Sequence, residues 1–221
     1  MDHKLPLWNA FINREPVQLM NHYKGIPVNA STIIYMLGRD ILAVQVERRY
    51  LSVIRRERCT YLECSECADL LKAVPIAYEA QDGMVVLGRF GVVNSADWRR
   101  HWALRIQPKE PLQLTLDCTG QSMAGRLIDL HPGENSQLYL RIALDGLVEI
   151  ERDNPIGLAL VLPGAQSTCR VLGTATRIYR QNRSGKPHMQ VHVTVEPAGD
   201  GKLAHYFNQR KEEIEAEWLE E

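Results

Sequence analysis

The fold of this chain is limited most strongly by a succession of short apolar runs, each ended by a turn. The runs of the first half are rich in β-branched and apolar residues, and turn signals such as K-G-I-P, L-G-R-D and Q-D-G separate them. This spacing is typical of small sandwiches and barrels rather than of alternating strands and helices. Strands are predicted over residues 17–20, 41–46, 50–54, 59–62 and 84–90, and a helical turn over 69–73.

The second half repeats this β signature without repeating the sequence. Its predicted strands cover residues 112–116, 123–130, 138–144, 156–162, 169–179 and 189–195. The last of these reads M-Q-V-H-V-T-V, so one face is polar and the other apolar, as in the wall of a small closed barrel. Three arginines near the preceding turn, Arg177, Arg180 and Arg183, are interpreted as a solvated hairpin tip.

The end of the chain has a helical pattern. Leu203, Phe207, Ile214 and Trp218 recur at spacings of four or seven residues, which places them on one face of a helix. The D-G pair just before this stripe is a helix start signal. We therefore predict one C-terminal helix that packs its apolar stripe on a barrel end or on a partner.

The length of 221 residues fits one large domain or two domains of about 100 residues, each with a modest core. Near Val93 the apolar run stops and the polar sequence N-S-A-D-W-R-R begins. We predict a mainly β fold of two small antiparallel β-barrels with a C-terminal α-helix. The predicted boundaries are 1–93 for the first barrel, 94–105 for a linker, 106–202 for the second barrel and 203–221 for the helix.

Charge and hydropathy exclude several classes of function. The formal net charge is −1, whereas binding to long nucleic acid needs a basic surface. The sequence contains no apolar run of the roughly 18–20 residues that a membrane span requires, and its first residues lack the layout of a secretory signal. From the sequence we expect a cytoplasmic protein whose anionic ligand, if any, is small.

Neither an enzyme nor a metal site is expected. The sequence contains no nucleophile elbow, zinc-protease motif, Walker loop or dinucleotide fingerprint, and its histidines lack tight ligand spacing. Cys64 and Cys67 have C-x-x-C spacing, with Cys59 nearby, but a structural zinc site would need a second pair of ligands. Incidental thiols are therefore favoured over metal or redox chemistry for this cluster.

Candidate ligand-binding residues come from a cluster of arginines and a later aspartate. Arg99, Arg100 and Arg105 lie in the predicted linker, and Asp129 ends a predicted strand of the second barrel. Arginine binds phosphate or the O6/N7 edge of guanine in a bidentate manner, and a carboxylate can accept hydrogen bonds from the base. The set suits an anionic guanine nucleotide, with a solvated surface as the alternative.

At these residues the sequence resembles the PilZ family of cyclic di-GMP receptors. The family has R-x-x-x-R in its linker and [D/N]-x-S-x-x-G in its barrel. The segment N-H-Y-K-G-I-P-V at positions 21–28 is similar to the one that opens the first domain of two-domain, YcgR-like members. The segment Y-F-N-Q-R-K-E-E at 206–213 looks like their terminal helix. The resemblance implies an N-terminal split barrel, a PilZ barrel and cyclic di-GMP as ligand.

Both ligand motifs depart from the family pattern. Four residues before Arg105 lies His101, while Arg100 lies five residues before it. In the second motif Asp129 fits, but the serine position holds His131 and the final glycine position holds Glu134. A glutamate near a phosphate would repel it, whereas His131 could donate a hydrogen bond, especially when protonated.

The resemblance assigns roles to five residues. Arg105 would be the main clamp on guanine or phosphate, Arg99 or Arg100 its companion, Asp129 the acceptor for the base edge and His131 a substitute donor. The bound nucleotide would rearrange the two domains and alter contact with a protein partner. In YcgR-like relatives that partner is often flagellar machinery, which implies motility or biofilm control.

Two other hypotheses stay open. A degenerate PilZ protein would bind no nucleotide and act as an adaptor through its first barrel and its helix. A flavin could bind in the first barrel, as it does in some split barrels, although no residue pattern supports this.

Overall fold

A computed structural model describes residues 4–65, 67, 69–79, 81–94, 102–133, 137–164, 168–183, 186–195 and 201–220. The chain divides into two compact units, the first formed by residues 1–103 with 216–221 and the second by residues 104–215. Each unit has its own β-sheet, and the described residues form three helices. The prediction of a mainly β fold with a C-terminal helix is confirmed.

The first unit is a seven-stranded sheet, curled into a half-barrel, in the order β2-β1-β5-β6-β7-β4-β3. All of its pairings are antiparallel. The strands are β1 (Val17–Tyr23), β2 (Ile26–Thr32), β3 (Ile34–Leu37), β4 (Ile41–Gln45), β5 (Thr60–Glu63), β6 (Leu70–Glu79) and β7 (Met84–Val93). The unit also contains two helices, α1 (Lys4–Asn13) and α2 (Arg48–Glu57), and the last residues of the C-terminal helix.

Two predictions for the first unit are wrong. Residues 50–54, predicted as a strand, lie in helix α2, and residues 69–73, predicted as a helical turn, lie largely in strand β6. The sequence R-R-Y-L-S-V-I-R-R-E has arginines on both sides of an apolar group. Its four buried residues, Tyr50, Leu51, Val53 and Ile54, have the spacing of one helix face, so the period is that of a helix rather than of a strand.

The segment N-H-Y-K-G-I-P-V forms the hairpin between β1 and β2. Tyr23 pairs with Ile26, so the turn consists of Lys24 and Gly25, with φ angles of 50° and 91°. A two-residue hairpin turn with positive φ at both positions matches the twist of the flanking strands, and glycine adopts this conformation at little cost.

Asn21, on the same hairpin, is 2% exposed and organises a buried polar cluster. Its Nδ2 donates to the Cys59 carbonyl at 2.7 Å. Its Oδ1 accepts from the Thr60 hydroxyl at 2.6 Å and from the Tyr50 hydroxyl at 3.2 Å. These uncharged groups join β1, β5 and α2.

The second unit is a closed antiparallel barrel in the order β10-β13-β12-β11-β8-β9. Its strands are β8 (Leu112–Cys118), β9 (Gln121–Pro132), β10 (Leu138–Leu144), β11 (Pro155–Leu160), β12 (Cys169–Arg183) and β13 (Lys186–Val195). Alternate residues are buried along β8, β10 and β13, for example Leu140 and Ile142, which are 1% and 0% exposed. The alternation predicted for residues 189–195 is therefore present in the fold.

Helix α3 (Lys202–Glu220) ends the described chain. Leu203, Phe207 and Ile214 of the predicted stripe are buried, and the buried Arg210 donates from Nε to the Gln107 carbonyl at 3.3 Å. The ring of Trp218, in the part of the helix that belongs to the first unit, lies 5.2 Å from the ring of Tyr23. Among the described residues, no helix is long and apolar enough to cross a membrane.

Candidate anion-binding site

Arg105 is held against strand β9 by its neighbour in the chain. The Ile106 N–H donates to the Leu130 carbonyl at 2.7 Å, and the Leu130 N–H donates to the Ile106 carbonyl at 3.0 Å. Both side chains are completely buried. Because this isolated bridge fixes the residue after Arg105 to the residue between Asp129 and His131, it places Arg105 beside both predicted site residues.

Asp129 faces outward because strand β9 contains a bulge. Leu127 points into the barrel, and on a regular strand Asp129, two residues later, would point the same way. Leu127 pairs with Ile142 and Asp129 pairs with Arg141, so Ile128 is the extra residue. The bulge thus turns Asp129 to the outer face, a usual role of bulges near binding sites.

The carboxylate of Asp129 forms an ion pair with Arg141 of β10. The Asp129 side chain is 3% exposed and the Arg141 side chain 31% exposed. Arg141 can donate five hydrogen bonds, and its buried Nε has no hydrogen-bond partner among the described residues. The pair therefore buries the aspartate and leaves part of the guanidinium accessible to a ligand.

His131 is half-buried and stacks on Tyr139, with ring centroids 4.9 Å apart. Burial lowers the pKa of His131 from the usual 6.5, and the positive charge of Arg105 lowers it further, while Asp129 opposes this effect. His131 is therefore neutral at pH 7 in the absence of a bound anion.

A side chain at Gly133 would clash with the Tyr139 ring, so glycine is needed at this position.

The outer face continues across two more strands. In register, Asp129 pairs with Arg141, Arg141 with His192 of β13, and His192 with Arg177 of β12. A second bulge, between Ala175 and Arg177, lets Arg177 face outward although it follows the buried Ala175 by two residues. We call these four side chains the outer row.

The outer row and Arg105 form a positively charged surface. The pKa of His192 is lowered by burial and by Arg141 and Arg177, and it is raised by Asp129. With both histidines neutral, the three arginines and the single aspartate leave a net charge of +2. The ring of Tyr179 lies 5.3 Å from that of His192 and adds an aromatic edge. This combination suits an anion with a planar group.

The structure brings together three of the five predicted ligand-binding residues, Arg105, Asp129 and His131. Arg99 and Arg100 lie outside the described residues. The sequence interpretation did not find Arg141, and it assigned Arg177 to a solvated hairpin tip. Arg177 instead pairs with His192 within the barrel wall. The polar face predicted for 189–195 was the available signal, since it already placed His192 outside the barrel.

Cys64 and Cys67 form a disulfide bond, so the interpretation of this cluster as incidental thiols is wrong for these two residues. The Cys67 N–H also donates to the Cys64 carbonyl at 3.0 Å, closing a tight turn after β5. Cys59, Cys118 and Cys169 are not joined in disulfides. Within the described part of the chain, His, Cys, Asp and Glu form no group of three or more that could hold a metal ion.

The fold and the site define a two-unit β protein whose closed six-stranded barrel has a basic outer face. No protein-family model matches the chain, and no curated protein matches it in sequence. Among solved structures it is similar to YcgR of Escherichia coli in complex with cyclic di-GMP, with a TM-score of 0.38 and 11% identity over 98% of this chain and 95% of that one.

Two further structures are similar at the same level. MrkH of K. pneumoniae, in complex with cyclic di-GMP, has a TM-score of 0.40 and 11% identity over 98% of this chain and 94% of that one. The inhibitor of motility MotI/DgrA of Bacillus subtilis has a TM-score of 0.37 and 10% identity over 89% of this chain and 96% of that one. At these values the similarity assigns no ligand, and function has to be argued from the residues of the site.

Proposed function

We propose that this protein is a cyclic di-GMP receptor of the PilZ family. The observation that carries the proposal is the backbone bridge between Ile106 and Leu130, which brings Arg105 to Asp129 and His131 on one barrel strand. These are the positions that the sequence resemblance assigns to the ligand. The net charge of +2 around them complements a cyclic dinucleotide, which has two phosphodiester charges.

The proposed roles follow from burial and charge. Arg105 binds the guanine edge or a phosphate in a bidentate manner. Asp129 is 2% exposed and already paired, so its main role is to orient Arg141 rather than to reach the base edge alone. His131 becomes a donor to a phosphate when an approaching anion favours its protonated form. The bound nucleotide changes contact with a protein partner by rearranging the two domains, and the protein is not an enzyme.

The proposal is tested by isothermal titration of cyclic di-GMP into the full chain and into Arg105→Ala. Loss of one charge-assisted contact costs about 1.5–3 kcal/mol, so we expect affinity to fall roughly 10- to 150-fold. Arg170→Ala is the matched control. Arg170 is also exposed, but it lies on the part of strand β12 that pairs with β11. Wild-type protein that binds no cyclic di-GMP at millimolar ligand between pH 5.5 and 8 would contradict the proposal.

Two observations favour the second candidate, an adaptor that binds no nucleotide. Asp129 has almost no free surface, and the serine position of the motif holds the neutral His131. An adaptor would keep its protein partner whether or not cyclic di-GMP is present. Release or recruitment of a captured partner by cyclic di-GMP would exclude this candidate.

A further inference from the structure

We propose that the outer row itself is the phosphate-binding element of this protein, with Arg177 and His192 as ligand-binding residues and Arg141 as their link to Asp129. This inference rests on the proposed function for the identity of the ligand, but it assigns residues that lie in neither predicted ligand motif. The ligand class is a phosphodiester or diphosphate dianion. The first arginine of the R-x-x-x-R motif is replaced by His101 in this sequence. We infer that the side chains of the outer row on β10, β13 and β12 supply the missing positive charge.

Two independent bulges carry the first step. Asp129 and Arg177 both follow a buried, inward-facing residue by two positions, so a regular strand would direct each of them into the core. The bulge at Ile128 in β9 and the bulge after Ala175 in β12 turn both outward. They occur at the two ends of the same cross-strand row, so the barrel departs from regular pairing where the row begins and where it ends.

Charge carries the second step. Arg177 is exposed and forms no ion pair with the described residues, and Arg141 keeps 31% of its side chain exposed while paired with Asp129. The groups that face His192 are Arg141 on β10, Arg177 on β12, Asp129 and His131 on β9, and the Tyr179 ring on β12. The arginines disfavour a proton on His192 until an anion offsets their charge. A negatively charged ligand would therefore be attracted to the row and would favour the protonated form of His192.

The length of the outer row is sufficient for a ligand with two phosphate groups. Neighbouring strands lie about 4.8 Å apart, so the four side chains of the row extend over roughly 14 Å. Two phosphate groups can bind along this length while Tyr179 and the stacked His131 and Tyr139 border the row. Arginine and histidine side chains whose backbone is fixed in strands lose less conformational entropy on binding than they would on an unordered segment.

The test compares the wild-type full chain with Arg177→Ala and Arg170→Ala. Both arginines lie exposed on β12, and about seven residues, or roughly 20 Å, separate them. In titrations with cyclic di-GMP we expect Arg177→Ala to bind at least tenfold more weakly, Arg177→Lys to recover part of the loss and Arg170→Ala to bind within twofold of wild type. Equal binding by Arg177→Ala and wild type would overturn the inference and leave the proposed function intact.

A second probe separates this inference from the proposed function. Pyrophosphate is a diphosphate without a base, and its effect on Tm is compared with that of sodium chloride at equal ionic strength. We expect pyrophosphate to raise the Tm of wild type and of Arg170→Ala but not that of Arg177→Ala. If cyclic di-GMP fails to bind while this pattern holds, the inference stands and the proposed function fails. If wild type shows no pyrophosphate-specific rise, the row is not a phosphate site.

Discussion

Each unit has a polar cluster on its sheet, and the two clusters differ in how completely their polar groups are paired with one another. In the first unit, Asn21, Tyr50 and Thr60 are uncharged and exchange hydrogen bonds with one another and with a backbone carbonyl. In the second unit, the outer row combines Arg141 and Arg177 with one aspartate, so its formal net charge is +1, and Arg177 is exposed at the surface. A closed neutral network contributes to folding, whereas an open charged one is free to bind a ligand.

The largest expected effect breaks the first cluster. In Asn21→Ala, the part-buried Cys59 carbonyl and the buried hydroxyls of Thr60 and Tyr50 lose a partner, and because each unsatisfied group costs about 1–3 kcal/mol, we expect a loss of about 3–5 kcal/mol in stability. Chemical denaturation measures this loss. Asn29→Ala, at an exposed position of the neighbouring strand, is the control and should change stability by less than about 0.5 kcal/mol. The folded variant should still bind cyclic di-GMP like wild type, and weakened binding would contradict the division of roles.

A smaller effect is expected at Gly133, which contacts the Tyr139 ring beside His131 in the second unit. A methyl group at this position clashes with the Tyr139 ring, which must move and disturb its stacking on His131. We expect Gly133→Ala to lose about 1–3 kcal/mol of stability and also to weaken cyclic di-GMP binding. Gly157→Ala in the same barrel is the control, since the new methyl group would meet no atom closer than 3.7 Å. Stability loss without any change in affinity would remove the Tyr139–His131 stack from the site.

The smallest effect is a difference in pH dependence. Because the pKa values of His131 and His192 are lowered in the folded protein, the unfolded chain binds protons first as pH falls below about 6.5. The second unit should therefore be fully stable above that pH and lose stability, by less than about 1 kcal/mol after solvent screening, as pH falls toward 5.5. In the first unit burial raises the pKa of Glu57, which acts in the opposite direction.

Thermal unfolding followed separately for each unit, for example with one spectroscopic label in each, measures this difference. Binding of an anion should reverse the trend in the second unit, because the bound anion favours the protonated histidines. Affinity for cyclic di-GMP should then rise as pH falls from 7.5 to 5.5. An affinity that is independent of pH would show that neither histidine gains a proton when the ligand binds.

The sequence was most informative where one period ran through a whole element. The stripe of Leu203, Phe207 and Ile214 gave helix α3, and the alternation over residues 189–195 gave the face of β13 that bears His192. It was misleading over residues 50–54, where a short apolar run was assigned to a strand. The charged flanks of that run belong to the polar face of helix α2 and were the neglected signal.

The partner of Asp129 could not be predicted in the same way. Arg141 lies 12 positions further along the chain, and its pairing with Asp129 depends on an extra residue in β9. Alternation alone would direct Asp129 into the core or require a different register. Motif spacing located Arg105 and Asp129, but only the strand pairing shows that the carboxylate of Asp129 forms an ion pair with a second arginine, Arg141.

The bulge at Ile128 means that the site depends on the number of residues in strand β9 as well as on their identity. If Ile128 stayed in the chain but was paired regularly, the alternation of the strand would send the carboxylate of Asp129 toward the apolar interior and separate it from Arg141, without altering any charged side chain. Loss of the bulge without loss of a residue would thus abolish the site while every arginine, histidine and aspartate stays in the chain. Relatives are therefore better compared by the length of this strand between its two buried leucines, Leu127 and Leu130, than by motif letters alone.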